Sequence, residues 1–249
     1  MKIIKPLIVF ILFLCGCNTN SNKPEQNNNN SVITNNNAEN LNSDENIIGS
    51  YVGIFGQNGN DNKITLLISR IDNNIIEGRT IVGGNDRPFN GTIVAEGDDF
   101  RVNAKEPGDD KYDGEFNFSI NKFNTNELRG NWAPFKNTTS AKSYTLYKKK
   151  FAYDANVGIY PIASIRLLNT TDVENMVKSE LSYMRNEIFA RHGYCFKKKD
   201  MRNMFELLDW YVPNTVDIKN FLTEIEKKNI SLIKRYEEYA DEYGDDYGR

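Results

Sequence analysis

The chain has 249 residues, with 31 basic against 34 acidic side chains for a net charge of −3, a single histidine and three cysteines. No basic stripe is present to track a phosphate backbone, which sets nucleic acid aside as a partner, and acidity of this size mainly aids solubility. One histidine and so few cysteines cannot give tetrahedral zinc ligation without borrowed carboxylates, so no metal and no cofactor is assigned.

Residues 1–16 have the parts of an export signal: Lys2 and Lys5, an apolar run from Leu7 to Leu14, and small residues before a cysteine. The apolar run is far shorter than the roughly 20 residues that span a bilayer as a helix. Its end, Leu14-Cys15-Gly16-Cys17, resembles a bacterial lipobox. That resemblance implies cleavage before Cys17 and acylation of Cys17 with diacylglycerol, of which palmitate is a typical chain. Two or more acyl chains hold a protein firmly to a membrane surface without crossing it. The chain is therefore expected to be exported and lipid-anchored in the cell envelope; Asn18 after the cysteine favours the outer membrane where the cell has two. Loss of Cys15 with the signal leaves Cys195 without an intramolecular disulfide partner, and the lone thiol reads as a small buried hydrophobe.

Residues 17–46 follow as a linker. From Asn18 to Asn46, 13 of 29 residues are asparagine, a composition that buries too little apolar area to offset chain entropy and is expected to be disordered.

Over residues 47–150 the hydrophobic period becomes two. "YVGIF" aligns Tyr51, Gly53 and Phe55, "KITLLIS" aligns Ile64, Leu66 and Ile68, and "IIEGRTIV" is a third run. "FNGTIVA" aligns Phe89, Gly91, Ile93 and Ala95, and "FRVNA" aligns Phe100, Val102 and Ala104. "FNFSI", "LRGNW" and "SYTLY" complete the series with Phe116, Phe118, Ile120, Leu128, Gly130, Trp132, Tyr144 and Leu146. Eight strands joined by short polar turns predict an antiparallel meander closed into a barrel, with a two-sheet sandwich as the alternative. Glycines 53, 78, 91, 114 and 130 mark bends of a tightly coiled sheet. The phenylalanines between Phe55 and Phe135 that fall on inward positions favour a filled interior over a hollow one. "DDKYDG" imitates a calcium loop through Asp109, Asp113 and Gly114, but Lys111 and Ile120 stand where ligands are needed, so it reads as a polar turn.

Residues 151–238 begin with a connector holding two candidate extended pieces and then turn helical. A helix is predicted from Ser179 to His192, with Leu181, Met184, Ile188 and His192 on one stripe. A shorter one covers Asp200 to Leu208, capped by Asp200, with Met201, Met204, Phe205 and Leu208 inward. A last helix starts at "TEIE", where Thr223 and Glu226 have capping-box spacing, and presents Ile225, Asn229, Leu232, Ile233 and Tyr236. Residues 239–249 form an acidic tail in which the pattern, weakening from Glu237, is expected to fray.

"ELSYMRNEIFARHGYCF", "WYVP" and "LTEIEKKNISLIKRYEE", in that order, resemble the YARHG domain of exported bacterial proteins, from about Tyr160 to Glu238. Phe189 replaces the tyrosine of the family's motif, which argues against that hydroxyl doing indispensable chemistry. The resemblance implies a fold and a location and no reaction. The overall class is then α+β: a barrel-like domain followed by a small helical YARHG domain.

The motif has a structural explanation. Gly193 sits where a helix ending at His192 needs a left-handed residue, Arg191 and His192 sit at the negative end of the dipole, and Glu187 to Arg191 is an i, i+4 pair. Asn229, on an apolar stripe, must find partners if buried, and Arg185, Asn186, Arg191 and His192 are the expected ones. Together with Trp210, Tyr211 and Glu226 these residues form the structural motif, and no residue is assigned as catalytic. The expected role is a non-enzymatic binding or structural module at the cell surface or in the periplasm. Its partners are the membrane, through the lipid, and an envelope protein, peptide or glycan, which Trp210 and Tyr211 could contact. Two alternatives stand beside it: a hydrolase of peptidoglycan or peptide using His192 and Glu187, and a carrier of a small apolar ligand in the barrel.

Overall fold

A computed structural model describes residues 46–56, 61–109, 112–136 and 141–243. The expected signal and lipobox with Cys17, all but the last residue of the expected linker, and residues 244–249 lie outside these.

The eight alternating runs form β1 (Gly49–Phe55), β2 (Asn62–Asp72), β3 (Ile75–Val82), β4 (Asn85–Glu96), β5 (Asp99–Lys105), β6 (Gly114–Asn121), β7 (Asn124–Pro134) and β8 (Lys142–Lys148). Each pairs antiparallel with the next, and β8 returns to β1 with Leu146 opposite Gly53, closing the barrel. The sandwich alternative is thereby excluded. Two hairpins use two-residue turns whose central residues have positive φ, Asn73 (50°) with Asn74 (66°) and Gly83 (59°) with Gly84 (81°), the conformation that matches strand twist. The strand glycines lie where neighbouring strands crowd in: a Cβ on Gly91 would sit 2.0 Å from the Asn103 carbonyl oxygen.

Inward positions are apolar and packed. Tyr51, Ile64, Leu66, Ile68, Ile120, Leu128 and Leu146 are fully buried, and Phe55 meets Trp132 edge to face at 5.8 Å. The barrel is filled, as the phenylalanine pattern predicts, with two adjustments. Phe135 is 39% exposed just beyond the end of β7, and Ala95, at the end of β4, is exposed as well. Outward positions such as Arg101, Asn103, Lys105 and Arg129 are exposed and polar, the reverse of a barrel whose outer face meets lipid.

The helical part comprises α1 (Ile162–Ile165), α2 (Lys178–Arg191), α3 (Lys199–Phe205) and α4 (Glu224–Tyr243). Leu181, Met184 and Ile188 of α2 pack in one cluster with Ile230, Ile233 and Tyr236 of α4. Three sequence expectations are corrected. The connector forms one helical turn, α1, and a 3₁₀ turn at Thr170–Asp172, with no strand in it. Lys198, not Asp200, occupies the N-cap of α3, and Met204 points outward at 42% exposure. Finally, α4 continues past Glu237 to Tyr243, because Ala240 is buried, Glu237 takes a bidentate grip from Arg185 at 2.8 and 3.1 Å, and Asp241 pairs with Lys178.

The two parts are bolted together along β2 and β3. Lys63 donates its backbone N–H to Glu206 (3.0 Å) and its ammonium to the carbonyls of Leu208 (2.7 Å) and Tyr211 (3.1 Å). Thr65 Oγ1 donates to the Pro213 carbonyl at 2.5 Å, and Arg79 reaches the Asn214 carbonyl at 3.2 Å. The "WYVP" segment is thus the joint between barrel and helices. Tyr211 is fully buried, with its hydroxyl on the Tyr194 carbonyl (2.7 Å), and its ring stands edge-on to half-buried Trp210. Tyr211 is therefore not an open contact for peptide or glycan.

Candidate functional site

The helical repeat of α2 places Glu187 and Arg191 one turn apart on the face covered by residues 151–169, and both side chains are fully out of water. A buried charge is tolerated only when paired and hydrogen-bonded. Glu187 accepts the backbone N–H groups of Ile159 and Tyr160, each at 2.7 Å, and the Arg191 guanidinium at 2.5 Å. Gly158 makes the approach possible. It has φ of 98°, and a Cβ there would lie 2.3 Å from Glu187 Oε1.

Arg191 spreads its planar fork over three partners: Glu187, the Val157 carbonyl at 2.8 Å through Nε, and Ser164 Oγ at 3.1 Å through Nη1. Ser164 in turn donates to Glu226 Oε1 at 2.7 Å, which also receives the Tyr153 hydroxyl at 3.1 Å. The other oxygen of Glu226 receives His192 Nε2 at 2.8 Å, the Thr223 backbone N–H at 2.9 Å and its hydroxyl at 3.1 Å. The predicted capping box is complete, since Glu226 N donates back to Thr223 Oγ1 at 3.2 Å. Burial pushes the Glu226 carboxyl up, but the hydrogen bonds from His192, Thr223 and Ser164 outweigh it and hold its pKa at about 2.

His192 is the C-cap of α2, and Gly193 follows at φ of 70°, as the glycine-terminated helix requires. The Tyr153 ring stacks on the imidazole at 4.5 Å. Cys195, three residues on, is engaged elsewhere: its sulfur accepts the Gly84 N–H of the barrel at 3.1 Å, and burial pushes its thiol up to about 11. A thiol held so high is a poor nucleophile at neutral pH.

Asn229 is buried, as its stripe position implies, but its expected partners are corrected. Its amide donates to the carbonyls of Ala163 and Arg166 and accepts the Leu168 N–H, all at 2.8 Å. The connector carries backbone groups that no sheet or helix satisfies, and Asn229 supplies what they lack. Arg185 points away from this network to Glu237, and Asn186 donates to the Ser182 carbonyl within its own helix at 2.8 Å. Sequence reasoning missed Tyr153, Gly158 and Ser164. Neither periodicity nor motif spacing marks them.

The motif therefore forms a clamp, in which Glu187, Arg191, His192, Glu226 and Asn229 fasten residues 153–168 between α2 and α4. On another side of α2, Arg185, Asn186 and Phe189 line an open cleft of about 730 Å³ with Tyr194, Phe196, Lys197, Lys198, Lys219 and Lys234. Asp217 is its one acidic group among the described residues. Phe189, at the position where the family motif carries tyrosine, is thus a wall of this cleft and no part of the clamp.

Fold and site together define a two-part protein, a filled β-barrel joined to a helical module locked by a buried ion pair and the hydrogen bonds around it. The YARHG domain family matches residues 158–238, so the helical module is a YARHG domain. No curated protein matched the chain. Among solved structures, a redesigned β-barrel is similar at 9% identity and a TM-score of 0.34, over 43% of this chain and 96% of that one.

Proposed function

We propose that the protein is a lipid-tethered bacterial envelope lipoprotein whose folded part is a non-enzymatic binding module, with the basic cleft beside the YARHG motif as its contact surface. The observation that carries this reading is a contrast between two sides of α2. Glu187, Arg191, His192 and Glu226 are buried and committed to internal bonds, whereas on the other side Lys197, Lys198, Lys219 and Lys234 line an open cleft and form no ion pair among the described residues. Such a cleft, basic in an acidic chain and walled by Phe189, Tyr194 and Phe196, suits an acidic peptide or an anionic glycan of the envelope. The lipobox resemblance supports the tether through Cys17, and the asparagine-rich linker supports reach away from the lipid.

Two linked experiments test it. Metabolic palmitate labelling is expected to mark the wild-type protein and not Cys17→Ser. Crosslinking in intact cells is expected to give an adduct that the Lys197→Glu, Lys219→Glu double variant loses while melting at the same temperature. An unlabelled wild-type chain overturns the tether, and an adduct unchanged by charge reversal overturns the cleft.

A further inference from the structure

We propose that the acidic segment after α4, Asp245-Asp246-Tyr247, folds back within the same chain onto the basic cleft beside α2 and covers it until a stronger acidic ligand displaces it. The inference rests on that cleft being the contact surface and adds its regulation.

The charge of the cleft is of one sign. Lys197, Lys198, Lys219 and Lys234 are exposed along it, and none of their ammonium groups makes a hydrogen bond or ion pair among the described residues. The walls between them are apolar, with half-buried Phe189, Tyr194, Met201 and Leu222. Asn186 lines the cleft as well. It spends its amide N–H on the Ser182 carbonyl at 2.8 Å, and its Oδ1 accepts no hydrogen bond among the described residues. A fitting occupant brings carboxylates for the lysines, an aromatic or large apolar side chain for the walls, and a main-chain N–H for Asn186.

The chain itself supplies such a segment. The last turns of α4 already set acids on bases of α2: Glu237 on Arg185, a residue of the cleft, and Asp241 on Lys178. α2 begins at Lys178, and residues 167–177, which lead into it, carry Asp172 and Glu174 and no base. The next acids, Asp245 and Asp246, therefore meet no further basic partner in that direction. Gly244, directly after the helix, is the residue type that lets a chain reverse at a helix end. Lys234 lies nine residues back along α4 from Tyr243, a distance of about 14 Å. Four extended residues, from Tyr243 to Tyr247, also cover about 14 Å. Reversal at Gly244 thus brings Asp246 and Tyr247 level with Lys234 and the apolar walls.

Tethering makes even a weak contact effective. A segment joined to its site by a few residues acts at an effective concentration on the order of millimolar. A free acidic ligand binds only the uncovered fraction of molecules, so its apparent affinity falls by that fraction. The cleft is then covered in the absence of a ligand and opens to one with more carboxylates or a larger apolar anchor.

The probe is a synthetic peptide of residues 241–249, titrated into the full-length wild type and into the full-length Asp245→Asn, Asp246→Asn variant. The readout is the side-chain amide resonance of Asn186. Without peptide the two proteins are expected to differ at Asn186, by an amount that dilution does not change. Glu224→Gln, a loss of charge at the other end of α4, should leave the resonance in place. The peptide should move the resonance of the Asp245, Asp246 variant saturably toward its wild-type position with a Kd of about 1 mM or tighter, and should bind the wild type about threefold more weakly or worse. Lys219→Gln together with Lys234→Gln should weaken the peptide by about tenfold. Identical Asn186 resonances in wild type and the Asp245, Asp246 variant, no saturable binding to that variant, or undiminished binding after loss of the two lysines would each overturn the docking. A difference that fades on dilution would seat the segment on a second copy of the chain and overturn it equally. Equal peptide affinity for wild type and variant would overturn the covering and leave the contact surface standing, whereas failure of that surface shows as a cellular adduct unchanged by charge reversal.

Discussion

Arg191→Met is expected to destabilise the folded chain by about 3–5 kcal/mol, because it leaves the fully buried Glu187 carboxylate without its counterion. Against a typical total of about 5–15 kcal/mol, that loss brings the protein close to unfolding at ordinary temperature. The side chain also supports the Val157 carbonyl and Ser164 Oγ, so the damage extends along the connector and is not confined to α2. Urea unfolding followed by far-UV circular dichroism reads the effect. Arg101→Met, which breaks an exposed pair with Glu96 on the barrel, serves as the control and should leave the midpoint in place. Equal midpoints for the two variants would contradict the clamp.

The second large effect depends on pH. Glu226 has a folded pKa of about 2 against an ordinary 4.5, so the native state favours its ionised form. A depressed carboxyl contributes stability that is fully present above about pH 4.5 and is lost as pH falls through about 2. The contribution is about 3 kcal/mol. Glu226→Gln keeps the shape and removes the charge. Wild type should therefore exceed the variant by an amount that shrinks by about 3 kcal/mol between roughly pH 5 and pH 2. Glu106 and Glu206 are shifted the opposite way by burial and gain on acidification, but they are common to both proteins and cancel in the difference. A stability gap independent of pH would show that Glu226 is not held as an anion by His192, Thr223 and Ser164.

The barrel was readable because its information is local: an alternation such as Phe116, Phe118, Ile120 assigns a face residue by residue, and the Asn and Gly turns assign the hairpins. An even strand count allowed closure without requiring it, and the pairing of β8 with β1 decided against the sandwich. The helix stripes and the Thr223–Glu226 box were readable for the same reason. The clamp was readable only in part. Glu187 and Arg191 look like an ordinary surface pair on α2, since ionised residues are seldom fully buried, and nothing within the helix says that residues 153–168 will lie over them. Asn229 announced its burial by its place on an apolar stripe but not its partners, which lie more than 60 positions away in a segment without periodicity. The end of α4 was misread because its last turns are held by Arg185 and Lys178 of another helix, a tertiary contact that overrides the weak local pattern.

The grouping of charged side chains at the barrel mouth had no sequence signal at all. Lys142, Glu106 and Arg202 come from β8, the β5–β6 connection and α3, and only the closed barrel docked against α3 brings them to one cavity. The joint at "WYVP" accounts for that docking, and it explains why Tyr211, which has the look of a contact residue, is instead built into the structure.

Amide hydrogen exchange at Ile159, Tyr160 and Leu168 tests the central claim most directly, since these three N–H groups are held by the side chains of Glu187 and Asn229 and belong to no helix or strand. The clamp predicts exchange as slow as that of the buried core of α2, with protection at Ile159 and Tyr160 collapsing together in Arg191→Met. Exchange at the rate of an unprotected loop in the wild-type protein would mean that the buried charges of the motif are not a fastener, and would return His192 and Glu187 to consideration as reactive groups.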